Sequence, residues 1–181
     1  MKITETYLKG CFVIEPTRFK DNRGVFFEAY KKEYFEKTIG ESVDFVQDNQ
    51  SISKQWTLRG LHFQTEGAAQ AKLVSVAFGE VLDVVVDIRK ESPTFGKHFK
   101  IKLSAKNHIS LFIPKGFAHG FLALADQTIF QYKCDNYYKK DLERGILYND
   151  RNLDIDWEFP IHKFIISEKD KKLPNFKALF K

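Results

Sequence analysis

The sequence predicts a mainly β fold, an antiparallel sandwich or barrel with a few short helices, and three observations carry the prediction. Short β-rich runs follow one another at close, regular spacing, with turn-forming residues between them. Aromatic residues make up 15% of the 181-residue chain, with 18 Phe among them, which suits a thick, sheet-rich core. Helical patterning is confined to one short stretch.

Taken in order, the runs read as strands over Val74–Ala77, Glu80–Ile88, Phe99–Leu103, His108–Ile113, Gly120–Leu124 and Thr128–Cys134. Gly79, Ser92-Pro93-Thr94-Phe95-Gly96, Lys106-Asn107, Pro114-Lys115-Gly116 and Asp126-Gln127 supply the breaks. Within Val81–Ile88, Leu82, Val84, Val86 and Ile88 share one face at period two and are expected in the core. Val81, Asp83, Val85 and Asp87 take the other face, so the two aspartates meet a wet cavity, solvent or a charged partner. The helix is expected over Lys31–Thr38, with Tyr34 and Phe35 on its apolar side. Asp150–Asp170 reads as loop-rich, limited by Pro160. On its own residues, Ser167-Glu168-Lys169-Asp170 reads as a C-cap or an exposed charge cluster.

No linker, low-complexity stretch or fixed-period repeat divides the chain, so residues 1–181 are expected to form a single domain. No apolar run reaches the length of about 18 residues that a transmembrane helix needs. Met1-Lys2-Ile3-Thr4-Glu5-Thr6 lacks the apolar core of a signal peptide. Cys11 and Cys134 form no Cys-x-x-Cys motif and fit reduced thiols in a cytoplasmic protein. The net charge is +5, with lysines spread along the chain. No recognition helix, zinc finger or RNA-binding signature accompanies that charge, so a nucleic-acid partner is set aside. A solvated surface plus a pocket for an anionic ligand accounts for the balance.

The most informative stretch is Leu58-Arg59-Gly60-Leu61-His62-Phe63-Gln64. A histidine in an apolar wall can act as a base near neutral pH, although a satisfied structural histidine is the plain alternative. Arg59 can hold an anion, and a diphosphate suits it. Pro114-Lys115-Gly116-Phe117-Ala118-His119-Gly120 offers a second histidine. In Asp21-Asn22-Arg23-Gly24-Val25-Phe26-Phe27-Glu28, Arg23 and Glu28 can meet a ligand or form a surface pair. Gln47-Asp48-Asn49-Gln50-Ser51 is dense in amides, which read polar edges and also make turns. Lys72 stands at the entrance to a strand. Tyr132, followed by Asn136-Tyr137-Tyr138 and Glu143, brings phenols that pack or donate a proton. No metal site is expected: Gln64 stands where a second ligand histidine would follow His62, and two histidines with an amide hold a transition metal poorly.

These blocks, joined by Phe19-Lys20, Lys72-Leu73-Val74, Asp87-Ile88-Arg89-Lys90-Glu91-Ser92-Pro93-Thr94 and Ser167-Glu168-Lys169-Asp170, appear in order from about Lys9 to Pro174. In this the chain resembles the dTDP-4-dehydrorhamnose 3,5-epimerases, sugar-nucleotide enzymes of the cupin class. It departs from them at Tyr148-Asn149-Asp150, where Trp usually precedes Asn-Asp, and at Trp157-Glu158-Phe159-Pro160, where Trp-Pro is usual. The resemblance implies a cupin-type jelly-roll barrel that forms a homodimer through exchanged strands. It implies conversion of dTDP-4-dehydro-6-deoxy-D-glucose to dTDP-4-dehydro-L-rhamnose, with no metal or redox cofactor. It implies His62 as the base with Asp170 as its dyad partner, Tyr132 as the proton donor, and Lys72 near the C4 oxygen. Tyr138 resembles the residue stacked on the base. Arg23, Glu28, Gln47, Asn49, Arg59, His119, Glu143 and Lys169 resemble substrate-binding positions, some of them reaching the site from the partner subunit. Two other readings stand beside this one. The first is a single-centre sugar-nucleotide epimerase or ketoisomerase; the second is a non-catalytic cupin that binds sugar nucleotides.

Overall fold

A computed structural model describes residues 1–180. The chain runs β1 (Lys2–Glu5), β2 (Phe12–Glu15), β3 (Arg18–Asp21), β4 (Gly24–Phe27), α1 (Lys32–Ile39), β5 (Gln47–Ser53), β6 (Thr57–Gln64), β7 (Lys72–Phe78) and β8 (Glu80–Asp87). It continues through β9 (His98–Ser104), β10 (Ser110–Ile113), β11 (Phe117–Ala123), β12 (Thr128–Cys134), β13 (Glu143–Gly145), β14 (Ile165–Ile166) and α2 (Phe176–Leu179).

Two sheets face one another. The first has the order β1-β2-β10-β7-β12-β5 and the second β13-β6-β11-β8-β9, while β3 and β4 form a separate hairpin. Apart from the parallel contact of β14 with β6, the pairings are antiparallel. The spacing of strands and turns predicted such an antiparallel sandwich or barrel, and the arrangement is the jelly roll that the resemblance implied.

Apolar alternation sorts the strands into layers. Val74, Val76, Leu111 and Phe130 of the first sheet meet Val81, Val85, Phe117 and Phe121 of the second inside the barrel. The outer face of the first sheet buries Ile14, Leu73 and Phe112 under Phe35 of α1. The outer face of the second sheet buries Leu58, Leu82, Val84, Val86 and Leu122 under the C-terminal segment through Ile146, Leu153, Trp157 and Phe176. The two places where the chain departs from the pattern it resembles meet in that layer, where the Trp157 indole N–H donates to the Tyr148 carbonyl at 2.9 Å.

The helix matches its expected span to within a residue, but of its two aromatics Phe35 faces the core and Tyr34 is turned outward. The strand expected from His108 starts instead at Ser110. His108 adopts φ 58°, and the Asn107 carboxamide accepts from the Ser104 and Ile109 amides, which makes that stretch a turn.

Solvent exposure, one of the alternatives for Asp83 and Asp87, is ruled out, because both are fully buried. The cause is the position of β8, which is central in its sheet and covered on both faces. Each aspartate meets a charged or polar partner instead. Asp87 closes the β8–β9 connection, accepting from Arg89 Nε at 2.8 Å, from Ser92 Oγ at 2.6 Å and from Thr94 Oγ1 at 2.6 Å. Burial pushes its carboxyl up, but these donors outweigh burial and leave it at about 2, below its ordinary 3.8. A carboxyl lowered on folding adds stability above its unfolded value and loses it as pH falls toward the folded value. Asp87→Asn should therefore cost about 2–3 kcal/mol near neutral pH. In urea titrations, the gap between variant and wild type should close as pH falls from about 4 to about 2. A gap independent of pH would show that the carboxylate charge contributes nothing.

Candidate active site

The site grows from an irregularity in β6. Arg59 and His62 are three residues apart, so a regular strand would place them on opposite faces. Here Arg59 pairs with Phe121 and His62 with His119, so Gly60 and Leu61 together oppose the single residue Gly120. This β-bulge inverts the alternation. Leu58, Leu61 and Phe63 are sent to the outer apolar layer, while Arg59 and His62 both line the cavity between the sheets. Glycine is required at the bulge: Gly60 has φ +120°, and a Cβ there would stand 2.5 Å from the Gly120 Cα.

The bulge also frees a donor. The Leu61 amide turns to Ile146, and the Gly60 amide donates to Asp170 Oδ2 at 3.3 Å. The other oxygen, Asp170 Oδ1, lies 2.9 Å from His62 Nε2. Asp170 arrives because β14 runs parallel to Thr57 and Leu58 of β6, which delivers Ser167–Asp170 to the cavity wall. Asp170 is buried, not part of an exposed charge cluster. Burial pushes its carboxyl up, but His62, the Gly60 amide and Ser167 together hold it below its ordinary value, so it stays ionised at neutral pH. Among the described residues, His62 Nδ1 has no hydrogen-bond partner.

The opposite wall comes from the first sheet. Tyr132 of β12 and Lys72 of β7 line the same cavity as His62, and the Lys72 Nζ lies 5.7 Å from the Tyr132 ring centroid. Burial raises the Tyr132 phenol, reinforced by Cys134, so it keeps its proton at neutral pH. Burial pushes the Lys72 ammonium down, against the opposing pull of Cys134, Glu143 and Asp83. His119 sits beside His62 across the strand pair, with Nε2 2.8 Å from Asp83 Oδ2.

The cavity, about 560 Å³, shares His62, Lys72 and Tyr132 with a second of about 280 Å³ that is also lined by Gln47, Asn49, Tyr138 and Glu143. The amide-rich segment is no turn. It is strand β5, with Gln47, Asn49 and Ser51 turned inward and Asp48 and Gln50 outward. Gln47 Nε2 donates to Asn49 Oδ1 at 2.9 Å, and Gln47 Oε1 accepts from the Tyr138 amide at 3.1 Å. Glu143 is contacted by the Tyr138 hydroxyl and by Lys169. Arg59 Nε donates to Ser53 Oγ at 3.2 Å. Of the thirteen expected site residues, eleven therefore gather at these two cavities or on their rim.

Arg23 and Glu28 do not join them within this chain. Both are exposed, Arg23 on the β3–β4 hairpin and Glu28 just beyond it, and Arg23 pairs with Asp21. Residue-by-residue reading assigned no role to Asp83 or to the Gly60 amide. The signal for the first is a carboxylate within an otherwise apolar run; for the second it is the three-residue spacing of Arg59 and His62. Among the described residues, no group of three or more His, Cys, Asp and Glu is placed to hold a metal ion. No helix among them is long and apolar enough to cross a membrane.

Comparison with known proteins agrees with this geometry. The family model described as dTDP-4-dehydrorhamnose 3,5-epimerase matches residues 5–178. The dTDP-4-dehydrorhamnose 3,5-epimerase of Shigella flexneri is 48% identical over 170 residues, covering 94% of this chain and 93% of that one. The crystal structure of the enzyme of that name from Elizabethkingia anophelis superposes with a TM-score of 0.96 at 49% identity, covering 100% of this chain and 99% of that one. The dTDP-6-deoxy-D-glucose-3,5-epimerase of Legionella pneumophila, solved in complex with dTDP-4-keto-L-rhamnose, superposes with a TM-score of 0.94 at 42% identity, covering 98% and 94%. With a bulged histidine dyad facing a tyrosine and a lysine across one barrel, and a match along nearly its whole length, the chain belongs to the dTDP-4-dehydrorhamnose 3,5-epimerase family.

Proposed function

We propose that the chain converts dTDP-4-dehydro-6-deoxy-D-glucose to dTDP-4-dehydro-L-rhamnose by inverting C3 and C5 of the sugar. One observation carries the reading: His62 and Tyr132 line one cavity from opposite sheets, so a sugar ring between them meets a base on one face and an acid on the other.

The hydrogens at C3 and C5 are both α to the C4 ketone. His62 Nδ1 takes one of them, and the electron pair moves onto the carbonyl oxygen to give an enolate. Asp170 orients the ring and stabilises the imidazolium that forms. The Lys72 ammonium donates to the developing oxyanion, a contact of a kind worth about 3–4 kcal/mol of barrier. Its burial makes it readier to share that proton. Tyr132 returns a proton to the opposite face, which inverts the centre. The smaller cavity takes the nucleotide end, with Tyr138 stacked on the base and Gln47, Asn49, Glu143 and Lys169 around it. Arg59 and His119 bind the remainder of the substrate beside His62. Incubation of the wild-type protein with the 4-keto sugar nucleotide in D2O, read by proton NMR, should place deuterium at both C3 and C5. Exchange at one carbon only would make it a single-centre epimerase, and binding with no exchange would make it a non-catalytic binder.

We propose further that two copies form a closed dimer in which each lends Arg23 and Glu28 to the other's site. The β3–β4 hairpin exposes Phe19, Val25 and Phe26, an apolar surface that a second copy would cover. Light scattering should give about twice the chain mass of 21.1 kDa. Mixed dimers of Arg23→Ala and His62→Ala chains should recover activity, because one of the two sites then holds both native residues. No recovery in verified mixed dimers would place Arg23 in its own chain's site or outside the machinery.

A further inference from the structure

His62 and His119 are direct cross-strand partners, and each carries a buried aspartate on its Nε2. The site thus contains two His–Asp dyads side by side, and the reaction as described uses only one as a base. Asp83 is fully buried on the inner face of β8, diagonal to His119 across the β8–β11 ladder, where its direct partner is Phe121. Its Oδ2 lies 2.8 Å from His119 Nε2, while its Oδ1 is buried with no hydrogen-bond partner among the described residues. Leaving one carboxylate oxygen unpaired in a barrel core is costly, and a purely structural position would be filled more cheaply by an apolar residue. The His119 ring is held on its flat side as well, stacked on Phe130 with ring centroids 5.9 Å apart and 21° between planes. Two constraints, a hydrogen bond in the ring plane and a stacked face, leave one ring orientation. In it Nε2 points into the barrel toward Asp83, and Nδ1 is the nitrogen left for the cavity.

We propose that Asp83 is a positioning residue of the reaction, which holds the Nδ1 edge of His119 against an oxygen of the sugar beside the reacting carbons. The inference rests on the proposed function for the identity of the sugar, but not for the state of the ring. Asp83 accepts a hydrogen bond from the Nε2–H, so the neutral ring carries its lone pair on Nδ1 and the sugar meets a fixed, known edge. Asp170 sets the neighbouring ring in the same sense. The sugar is thereby registered between two rings whose spacing is that of adjacent strands.

The test uses the full-length protein. Asp83→Asn keeps the volume and should lower kcat by about 10- to 100-fold, the range found where the outer partner of a metal-ligating histidine is removed. Binding of dTDP alone, which lacks the sugar, should change by less than about twofold. If Asp83 acts through His119, adding Asp83→Asn to His119→Ala should cost less than about threefold more. Full additivity, wild-type kcat in Asp83→Asn, or a parallel loss of dTDP binding would each overturn the assignment. Should Asp83→Asn fail to fold, the wild-type protein still decides. Long-range proton–nitrogen NMR of His119 should show the proton on Nε2; a bare Nε2 with the proton on Nδ1 alone overturns the proposal. A wild-type protein inactive on the 4-keto sugar would remove the function but leave this ring assignment standing.

Discussion

Replacing His62 by alanine is expected to lower turnover by about 10²- to 10⁴-fold, the range in which a positioned general base contributes. His62 is the one histidine whose second nitrogen is anchored to Asp170 while Tyr132 and Lys72 stand across the same cavity. The loss should appear in kcat with little change in the affinity for dTDP, because the nucleotide end lies in the neighbouring cavity. Asp170→Ala should be damaging but less so, since it leaves the base in place and removes its orientation and the charge that favours the imidazolium. That ordering discriminates: a base acts directly, its partner through it. Near-wild-type turnover by His62→Ala in a coupled assay with a 4-keto reductase would sink the mechanism.

Tyr132→Phe is the second large effect, and it separates the two halves of the reaction. The ring remains, so the aromatic contacts with Phe130 and Lys72 persist, but the phenol proton is gone. His62 still removes and returns a proton on its own face, so solvent deuterium should enter the substrate without inversion. Product with the L-configuration should fall by about 10²-fold or more. Exchange and inversion lost together would instead make Tyr132 the base, and inversion retained would place the donor elsewhere on the first sheet.

Much of the barrel was legible because its central strands carry strong apolar runs between unmistakable breaks. Thr128–Cys134 is observed as read, and Val81–Ile88 shows the expected core face. The N-terminal strands were not, because β1 to β4 are four residues each, too short to show an apolar period, and β1, β3 and β4 are mostly exposed. Strand β5 was obscured for a different reason. It is an edge strand whose inner face serves a polar cavity and whose outer face is largely polar, so the alternation is polar against polar. Asp170 lies 108 residues from His62 along the chain, and nothing local in Ser167-Glu168-Lys169-Asp170 points to that partner. Only the resemblance singled it out. Asp83 shows the reverse case, where the residues alone left three environments open and the burial of β8 chose among them.

The bulge at Gly60 and Leu61 makes the orientation of the base a matter of arithmetic. What aims His62 inward is that two residues, Gly60 and Leu61, oppose the single Gly120, and no apolar side chain of β6 has to be any particular one for that aim to hold. Leu58, Leu61 and Phe63 are thus free to drift among residues of similar size, as core positions do. A single deletion between Arg59 and His62 is another matter. It would restore a regular ladder in which the two stand two apart and still share the inner face, but it would remove the bulge that frees the Gly60 amide for Asp170 Oδ2. Divergence along this strand can therefore proceed by substitution at its apolar sites but not at Gly60, and the loss of one residue between Arg59 and His62 would spare the aim of the base while taking away a donor that holds its partner.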